Sequence, residues 1–272
     1  MLQRIFCYLR LMRIGNCLIA FFSIFATSFF VSKSLILRTP VFLGALAALL
    51  IMGGGNSLND YFDYRIDKVN KPNRPIPLGL ITRPRALIFS MCLFFTGFIL
   101  GLFLNIFALS IVFLNTCLLI AYAKYSKTMS FAANILVALM TASVFIFAAT
   151  ILHTININII VLSSSAFFIM TTREILKDIE DIQGDIQSEA STLPIKLGIR
   201  RARTISSLFI LPAVVLIFVP YILNTMDELY LSLIFCATAV LVVSLFLQAK
   251  QSQKIIKMAV IIVLAAFLVG SL

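Results

Sequence analysis

Nine long apolar stretches, joined by short polar connections, take up nearly the whole chain, and this pattern leaves little choice of fold. They run near 14–32, 40–59, 86–104, 106–122, 131–152, 155–172, 204–223, 229–248 and 255–272. A hydrocarbon layer about 30 Å thick needs about 20 apolar residues per crossing helix. Strands are excluded because the runs are too long and too continuously apolar for the alternation of a barrel. Composition agrees: 61% of the 272 residues are hydrophobic, only 12% are charged, and the mean hydropathy is +1.07. So little charge cannot cover the surface of a soluble domain. The expectation is an all-α integral membrane protein of about nine transmembrane helices, one domain over 1–272. The first run follows Arg4, Arg10 and Arg13 without a small-residue cleavage site, so it reads as a retained helix. Five cysteines are scattered through apolar sequence with no CxxC pair, which predicts neither a disulfide framework nor a zinc site.

A net charge of +11 suggests nucleic acid until the cations are placed. Assigning the connections alternately to two sides puts 20 of the 22 Lys and Arg on the side of the N-terminus; only Lys33 and Arg38 fall opposite. Positive loops stay cytoplasmic, which predicts a cytoplasmic N-terminus and, after nine crossings, an outer C-terminus. Most of these cations serve topology and headgroup contact. The exceptions are interleaved with acids.

Nine of the 11 acidic residues fall into two groups. Asp60, Asp63 and Asp67 read D-x₂-D-x₃-D, and Asp178, Asp181 and Asp185 repeat that spacing. Steps of three and four place three carboxylates on one side of a continuing helix. Asn59 extends the first stripe; Arg173 and Lys177 extend the second. Both lie where a membrane helix emerges on the same side, and four helices separate them, which suggests a duplicated half with a boundary near 125–130. Oxygen donors without His or Cys suit a hard cation, and Mg²⁺ is commonly held by a few carboxylates together with substrate phosphates. Two facing stripes therefore predict Mg²⁺ ions bridging one diphosphate. Loss of diphosphate from an allylic carbon builds negative charge that metal and Arg or Lys neutralise. The carbocation left behind calls for a dry pocket with aromatic faces, and the chain holds 25 Phe and 7 Tyr.

Asn70–Pro77 (NKPNRPIP) is stiffened by three prolines, so Arg74 is presented to the diphosphate in a fixed loop. Gly53-Gly54-Gly55 predicts close helix packing. Lys127 and Asn134 sit on the next connection of the same side and offer a further phosphate contact. Asp67 is a candidate base for an acceptor hydroxyl. A cation transporter is the competing class, but it would carry acids near helix centres rather than at helix ends.

The phrases Asn59–Pro77 (NDYFDYRIDKVNKPNRPIP) and Arg173–Asp185 (REILKDIEDIQGD), with Tyr122…Lys127…Asn134 between them, resemble the UbiA superfamily of membrane prenyltransferases over nearly the whole chain. The resemblance implies a helical bundle around a central cavity open laterally to lipid, and Mg²⁺-dependent prenyl transfer at the two Asp motifs. Carried onto this chain, it implies catalysis by Asp63, Asp67, Asp181, Asp185 and Arg74. It implies metal-binding by Asn59, Asp63, Asp67, Asp178, Asp181 and Asp185. Diphosphate-binding would involve Asn59, Asp60, Arg74, Lys127, Arg173, Lys177, Asn16 and Tyr122. Arg13-Ile14-Gly15-Asn16 departs from the Arg-Pro-x-Asn usual in the family. Within the superfamily the two phrases look most like the digeranylgeranylglyceryl phosphate synthases, implying geranylgeranyl diphosphate as donor and geranylgeranylglyceryl phosphate as acceptor. An aromatic or tetrapyrrole acceptor, as in quinone and chlorophyll synthases, is the alternative. The partners implied are substrates and the bilayer, with no nucleic acid or protein partner.

Overall fold

A computed structural model describes residues 2–31, 38–187 and 189–270, so Lys33, one of the two expected outer cations, lies outside the described residues. Thirteen helices follow one another: α1 (Leu2–Leu11), α2 (Ile14–Val31), α3 (Thr39–Phe62), α4 (Tyr64–Asn70), α5 (Arg83–Gly101), α6 (Ile106–Met129), α7 (Phe131–Ile151), α8 (Ile157–Glu180), α9 (Ile182–Gln187), α10 (Leu193–Leu197), α11 (Ile199–Ile222), α12 (Glu228–Ser244) and α13 (Ala249–Val269). Among the described residues there is no strand. Eight helices are long and apolar enough to cross a membrane, and α12, at 17 residues, is a shorter apolar ninth. The nine apolar runs thus correspond to α2, α3, α5, α6, α7, α8, α11, α12 and α13. Start signals are local. Asn105, Asn156 and Asp227 accept from the backbone N–H of Ala108, Ile159 and Tyr230, and prolines occupy the first turns of α3, α5 and α10.

The spans close into a ring. α2, α3, α5, α6 and α7 pack around one core that includes Ile24, Ile51, Leu58, Phe94, Val112 and Phe147. α7, α8, α11, α12 and α13 share a second that includes Phe145, Ile169, Ile210, Ile234 and Ile256. α7 belongs to both, and α13 meets α2 to complete the circuit. Large apolar side chains such as Phe95, Phe103, Phe107 and Phe246 point outward, as expected where the surrounding solvent is lipid.

The triple glycine packs closely, as expected. A Cβ on Gly53 would run into Met12, on Gly54 into the Phe94 ring, and on Gly55 into Leu119. Bare backbone here lets α3 sit tight against three neighbours, and Ser90 donates to the Gly54 carbonyl at 2.8 Å. α3 is thereby held rigidly just before its aspartates.

One expectation is corrected. Neither Asp motif lies on an unbroken helix. α3 ends at Asp63 (φ −76°, ψ 8°) and α8 ends at Asp181 (φ −88°, ψ 5°), so each chain bends at the middle aspartate of its motif. The short helices that follow, α4 and α9, pack on each other across the mouth of the bundle.

Candidate active site

The two bends bring both motifs to one pocket. Its wall includes Asn59, Asp63, Asp67 and Arg74 from the first motif and its loop, and Lys177, Asp178 and Asp181 from the second. Tyr122, Ser126, Ser130 and Asn134 close it from α6 and α7, and Arg13, Asn70 and Thr192 complete the polar lining.

Cations hold the aspartates in place. Arg74 Nη1 lies 2.9 Å from Asp60 Oδ1 and 2.6 Å from Asp67 Oδ2, joining the ends of the first motif. Arg13 Nη2 donates to the same Asp60 oxygen at 2.6 Å, and its Nη1 reaches Asn56 Oδ1 at 3.4 Å. Asp60 is therefore sealed, only 2% exposed, and orients two arginines; it does not line the pocket as a diphosphate contact would. Asp63 accepts from Asn59 Nδ2 at 2.7 Å. Arg13 adopts a left-handed backbone (φ 55°) between α1 and α2, and this turn aims its guanidinium inward.

Across the pocket, Lys71 Nζ donates to both oxygens of Asp181 at 2.7 and 2.9 Å. Asn70 spans the same gap. Its Nδ2 donates to the Asp181 carbonyl at 2.9 Å and its Oδ1 accepts from Gly184 N at 3.1 Å. A Cβ on Gly184 would collide with that amide, so glycine is required for the close approach. Asn134 Nδ2 donates to Asp178 Oδ2 at 2.8 Å. The Lys71 and Asn70 contacts, between residues 110 or more positions apart, tie the end of α4 to α9.

Electrostatics follow burial. Asp67 is 4% exposed, and desolvation pushes its pKa up to about 6, with Arg74 pulling the other way and Asp60 adding to the rise. Arg13 is held above its ordinary value: burial opposes its charge, but the Asp60 contact overcomes that penalty.

Several expectations shift against this geometry. Asp185 is fully buried on α9 and does not reach the pocket wall. Arg173 also stays off the wall, its Nη1 bound to Glu174 at 2.7 Å; Lys177 does line it while holding the other Glu174 oxygen at 3.0 Å. Asn16 is half-buried and off the wall, its place taken by Arg13 three residues earlier. The side chain of Lys127 lies outside the described residues. Residues not anticipated are Arg13 as an Asp60 partner, the Asn70 and Lys71 bridge, and Glu174 as a buried hub. Arg13 stood in the sequence as a topology cation, and only its return to a distant aspartate separates it from Arg4.

Mg²⁺ is tested by the donor set. Among the described residues no three His, Cys, Asp or Glu side chains converge as a ready-made metal site, because Lys71 and Arg74 engage the carboxylates. Yet three lining residues, Asn59, Asn134 and Thr192, carry buried side-chain oxygens that have no hydrogen-bond partner within the protein. Buried acceptors left open beside carboxylates, with no His or Cys, suit a hard cation that completes its shell with diphosphate and water. The residues fit Mg²⁺ brought with a diphosphate.

Known proteins agree with this arrangement. Residues 19–269 match the UbiA prenyltransferase family. The chain is 37% identical to the digeranylgeranylglyceryl phosphate synthase of Methanococcoides burtonii, over 97% of this chain and 99% of that one. It is 35% identical to the enzyme of that name from Methanosphaera stadtmanae, again over 97% and 99%. Among solved structures, one of a digeranylgeranylglyceryl phosphate synthase superposes with a TM-score of 0.79 at 32% identity, covering 99% of each chain. A UbiA homologue from Archaeoglobus fulgidus bound to GPP and Mg²⁺ has a TM-score of 0.72 at 17% identity, covering 97% of this chain and 99% of that one; it bears on the fold alone.

Proposed function

Because this chain belongs to the UbiA prenyltransferase family and is a multi-pass membrane protein, we propose that it moves a geranylgeranyl group from geranylgeranyl diphosphate to geranylgeranylglyceryl phosphate, with Mg²⁺. The product is digeranylgeranylglyceryl phosphate, an archaeal-type ether lipid precursor. The observation that carries this reading is the single pocket where both Asp motifs meet beside three unfilled buried oxygens. The acceptor follows from relatives at 35–37% identity over nearly their full length that share one name.

In this reading Asn59, Asp63, Asp67, Asp178 and Asp181 would hold the metal-bound diphosphate, and Mg²⁺ would supply charge neutralisation on the leaving group. Arg74 and Lys177 face the same pocket and attract the diphosphate oxygens. Tyr122 presents an aromatic face to the allylic carbon as positive charge develops there. The C1–O bond to diphosphate breaks while the glycerol 2-hydroxyl oxygen bonds to C1. The hydroxyl proton passes to a carboxylate of the pocket, for which Asp67 is the candidate where the metal does not saturate it. The positive-inside charge pattern supports a cytoplasmic pocket and N-terminus and an outer C-terminus.

The test is an assay of purified protein in detergent with labelled geranylgeranyl diphosphate and Mg²⁺, offering geranylgeranylglyceryl phosphate and 4-hydroxybenzoate in parallel. EDTA-sensitive product with the glyceryl phosphate alone is expected. Product only with the aromatic acceptor overturns the lipid assignment, and no product with either overturns the transfer reading.

A further inference from the structure

A second cavity lies behind the loop that carries Arg74. It is a hollow of about 430 Å³, lined by Arg10, Asn70, Lys71, Asn73 and Arg74 together with two prolines of the loop. A water molecule takes up about 30 Å³ of liquid, so the hollow has room for a phosphate group and several waters. Asn70 and Arg74 line the Asp-rich pocket as well, so the two cavities share a wall.

Two elements build this hollow. The segment after α4 is a tight turn, closed where Arg74 N donates to the Lys71 carbonyl at 3.0 Å. Arg10, in the last turn of α1, donates through Nη2 to the Asn73 carbonyl at 2.7 Å and so joins α1 to that turn. Leu11 packs in one buried cluster with Ile76, Ile81 and Ala86, which fixes α1 on the loop.

The lining is cationic, and none of the residues in it is an acid. Lys71 is held by Asp181, and Arg74 meets Asp60 and Asp67 through Nη1 alone, which leaves donors of its planar fork for another anion. Arg10 has a backbone carbonyl as its partner and, among the described residues, no carboxylate. Cations without carboxylates suit an anion that brings no metal. A phosphate monoester is one, with about −1.5 to −2 charge at neutral pH. Height points to a lipid. α1 ends at Leu11 and the apolar span α2 begins at Ile14, while Ile5 and Phe6 of α1 are exposed. An amphipathic helix leading into a span lies at the level of the headgroups, and Arg10 is carried on it.

We propose that this hollow binds the phosphate of the acceptor lipid, with Arg10 as the residue that selects for it. The proposal rests on the reading that the acceptor is a glyceryl phosphate lipid. In such an acceptor the phosphate and the reacting 2-hydroxyl sit on adjacent carbons. A phosphate seated behind Arg74 therefore leaves the hydroxyl at the shared wall, on the side of the Asp-rich pocket. The two anionic groups of the reaction are kept apart: the diphosphate meets the aspartates, and the monoester meets cations alone.

Arg10→Gln, Arg10→Lys and Asn73→Asp are assayed in detergent with geranylgeranylglyceryl phosphate or its uncharged analogue geranylgeranylglycerol, monodisperse elution serving as the folding control. Asn73→Asp keeps the backbone carbonyl that Arg10 uses and sets an anion in the hollow's lining. Arg10→Gln is expected to raise KM for the phosphorylated acceptor about tenfold, the worth of one charge-assisted hydrogen bond. Asn73→Asp raises it about threefold, and Arg10→Lys recovers most of the Arg10→Gln loss. The donor KM and inhibition by inorganic diphosphate stay within about twofold of wild type, and KM for the uncharged analogue does not move. A loss falling equally on both acceptors makes Arg10 a brace of the loop and overturns the site. Weakened inhibition by inorganic diphosphate gives the hollow to the leaving group and overturns it too. An Arg10→Gln defect seen only in nanodiscs of anionic lipid, and absent in zwitterionic discs and detergent, assigns the hollow to bilayer headgroups, again against the proposal. Wild-type protein inert toward the glyceryl phosphate overturns the proposed acceptor and the site together; normal wild-type turnover with an unchanged acceptor KM in Arg10→Gln overturns the site alone.

Discussion

Asp67→Asn should make the ligand-free protein more stable while abolishing transfer. Burial raises the Asp67 pKa to about 6, whereas an unfolded chain would leave it near its ordinary value of 3.8. The sign follows from that direction. A carboxyl whose folded pKa is raised contributes its full stability below the unfolded value, and loses it as pH climbs through the folded value. About two units at 1.36 kcal/mol each make ionised Asp67 a burden of roughly 3 kcal/mol above pH 6. Asparagine mimics the protonated form and keeps an oxygen for Arg74, which also retains Asp60 at 2.9 Å. Stability is read by circular dichroism at 222 nm during thermal unfolding in detergent, at pH 7.5 and pH 4.5, without Mg²⁺ or diphosphate. The expected result is a Tm several degrees above wild type at pH 7.5, shrinking toward no difference at pH 4.5. With Mg²⁺ and geranylgeranyl diphosphate the order reverses, since wild type alone gains the full ligand stabilisation. A variant no more stable than wild type at pH 7.5, or equally stabilised at both pH values, refutes the reasoning.

Three further outcomes follow from the geometry. Lys71→Ala removes the bridge to Asp181 seen at 2.7 Å and should lower kcat/KM by roughly tenfold, with a stability loss near 1 kcal/mol because both partners are partly exposed; steady-state kinetics and Tm check it. Gly184→Ala drives a methyl into the Asn70 amide and should cost about 1–3 kcal/mol, read from thermal unfolding. Glu174→Gln leaves the half-buried Arg173 and Lys177 without their shared counter-charge and should destabilise by about 1–3 kcal/mol, visible as reduced monodisperse yield and a lowered Tm.

The spans were legible because lipid imposes a length and an apolarity that no soluble core demands, and because cations mark the side on which each span ends. The paired D-x₂-D-x₃-D spacing likewise located both halves of the pocket. What spacing could not show is that each helix stops at its middle aspartate. Asp63 and Asp181 fit an unbroken helix as well as a bent one, and the Lys71 and Asn70 contacts that accompany the bends join segments far apart in sequence. The same blindness misplaced Asp185, which helical arithmetic puts beside Asp181 but α9 turns into the interior. Pairings between residues such as Arg13 and Asp60, 47 positions apart, leave no local signature.

The cations that hold the aspartates also decide the order in which ligands can be accepted. Lys71 and Arg74 compete for the very oxygens a divalent ion would seek, so the bare ion meets a rival already seated at 2.6–2.9 Å. A diphosphate arriving with the ion changes the balance, because it offers both cations a new anion in exchange for the carboxylates they give up. The resting carboxylates are thus better prepared for the ion and the diphosphate together than for the bare ion.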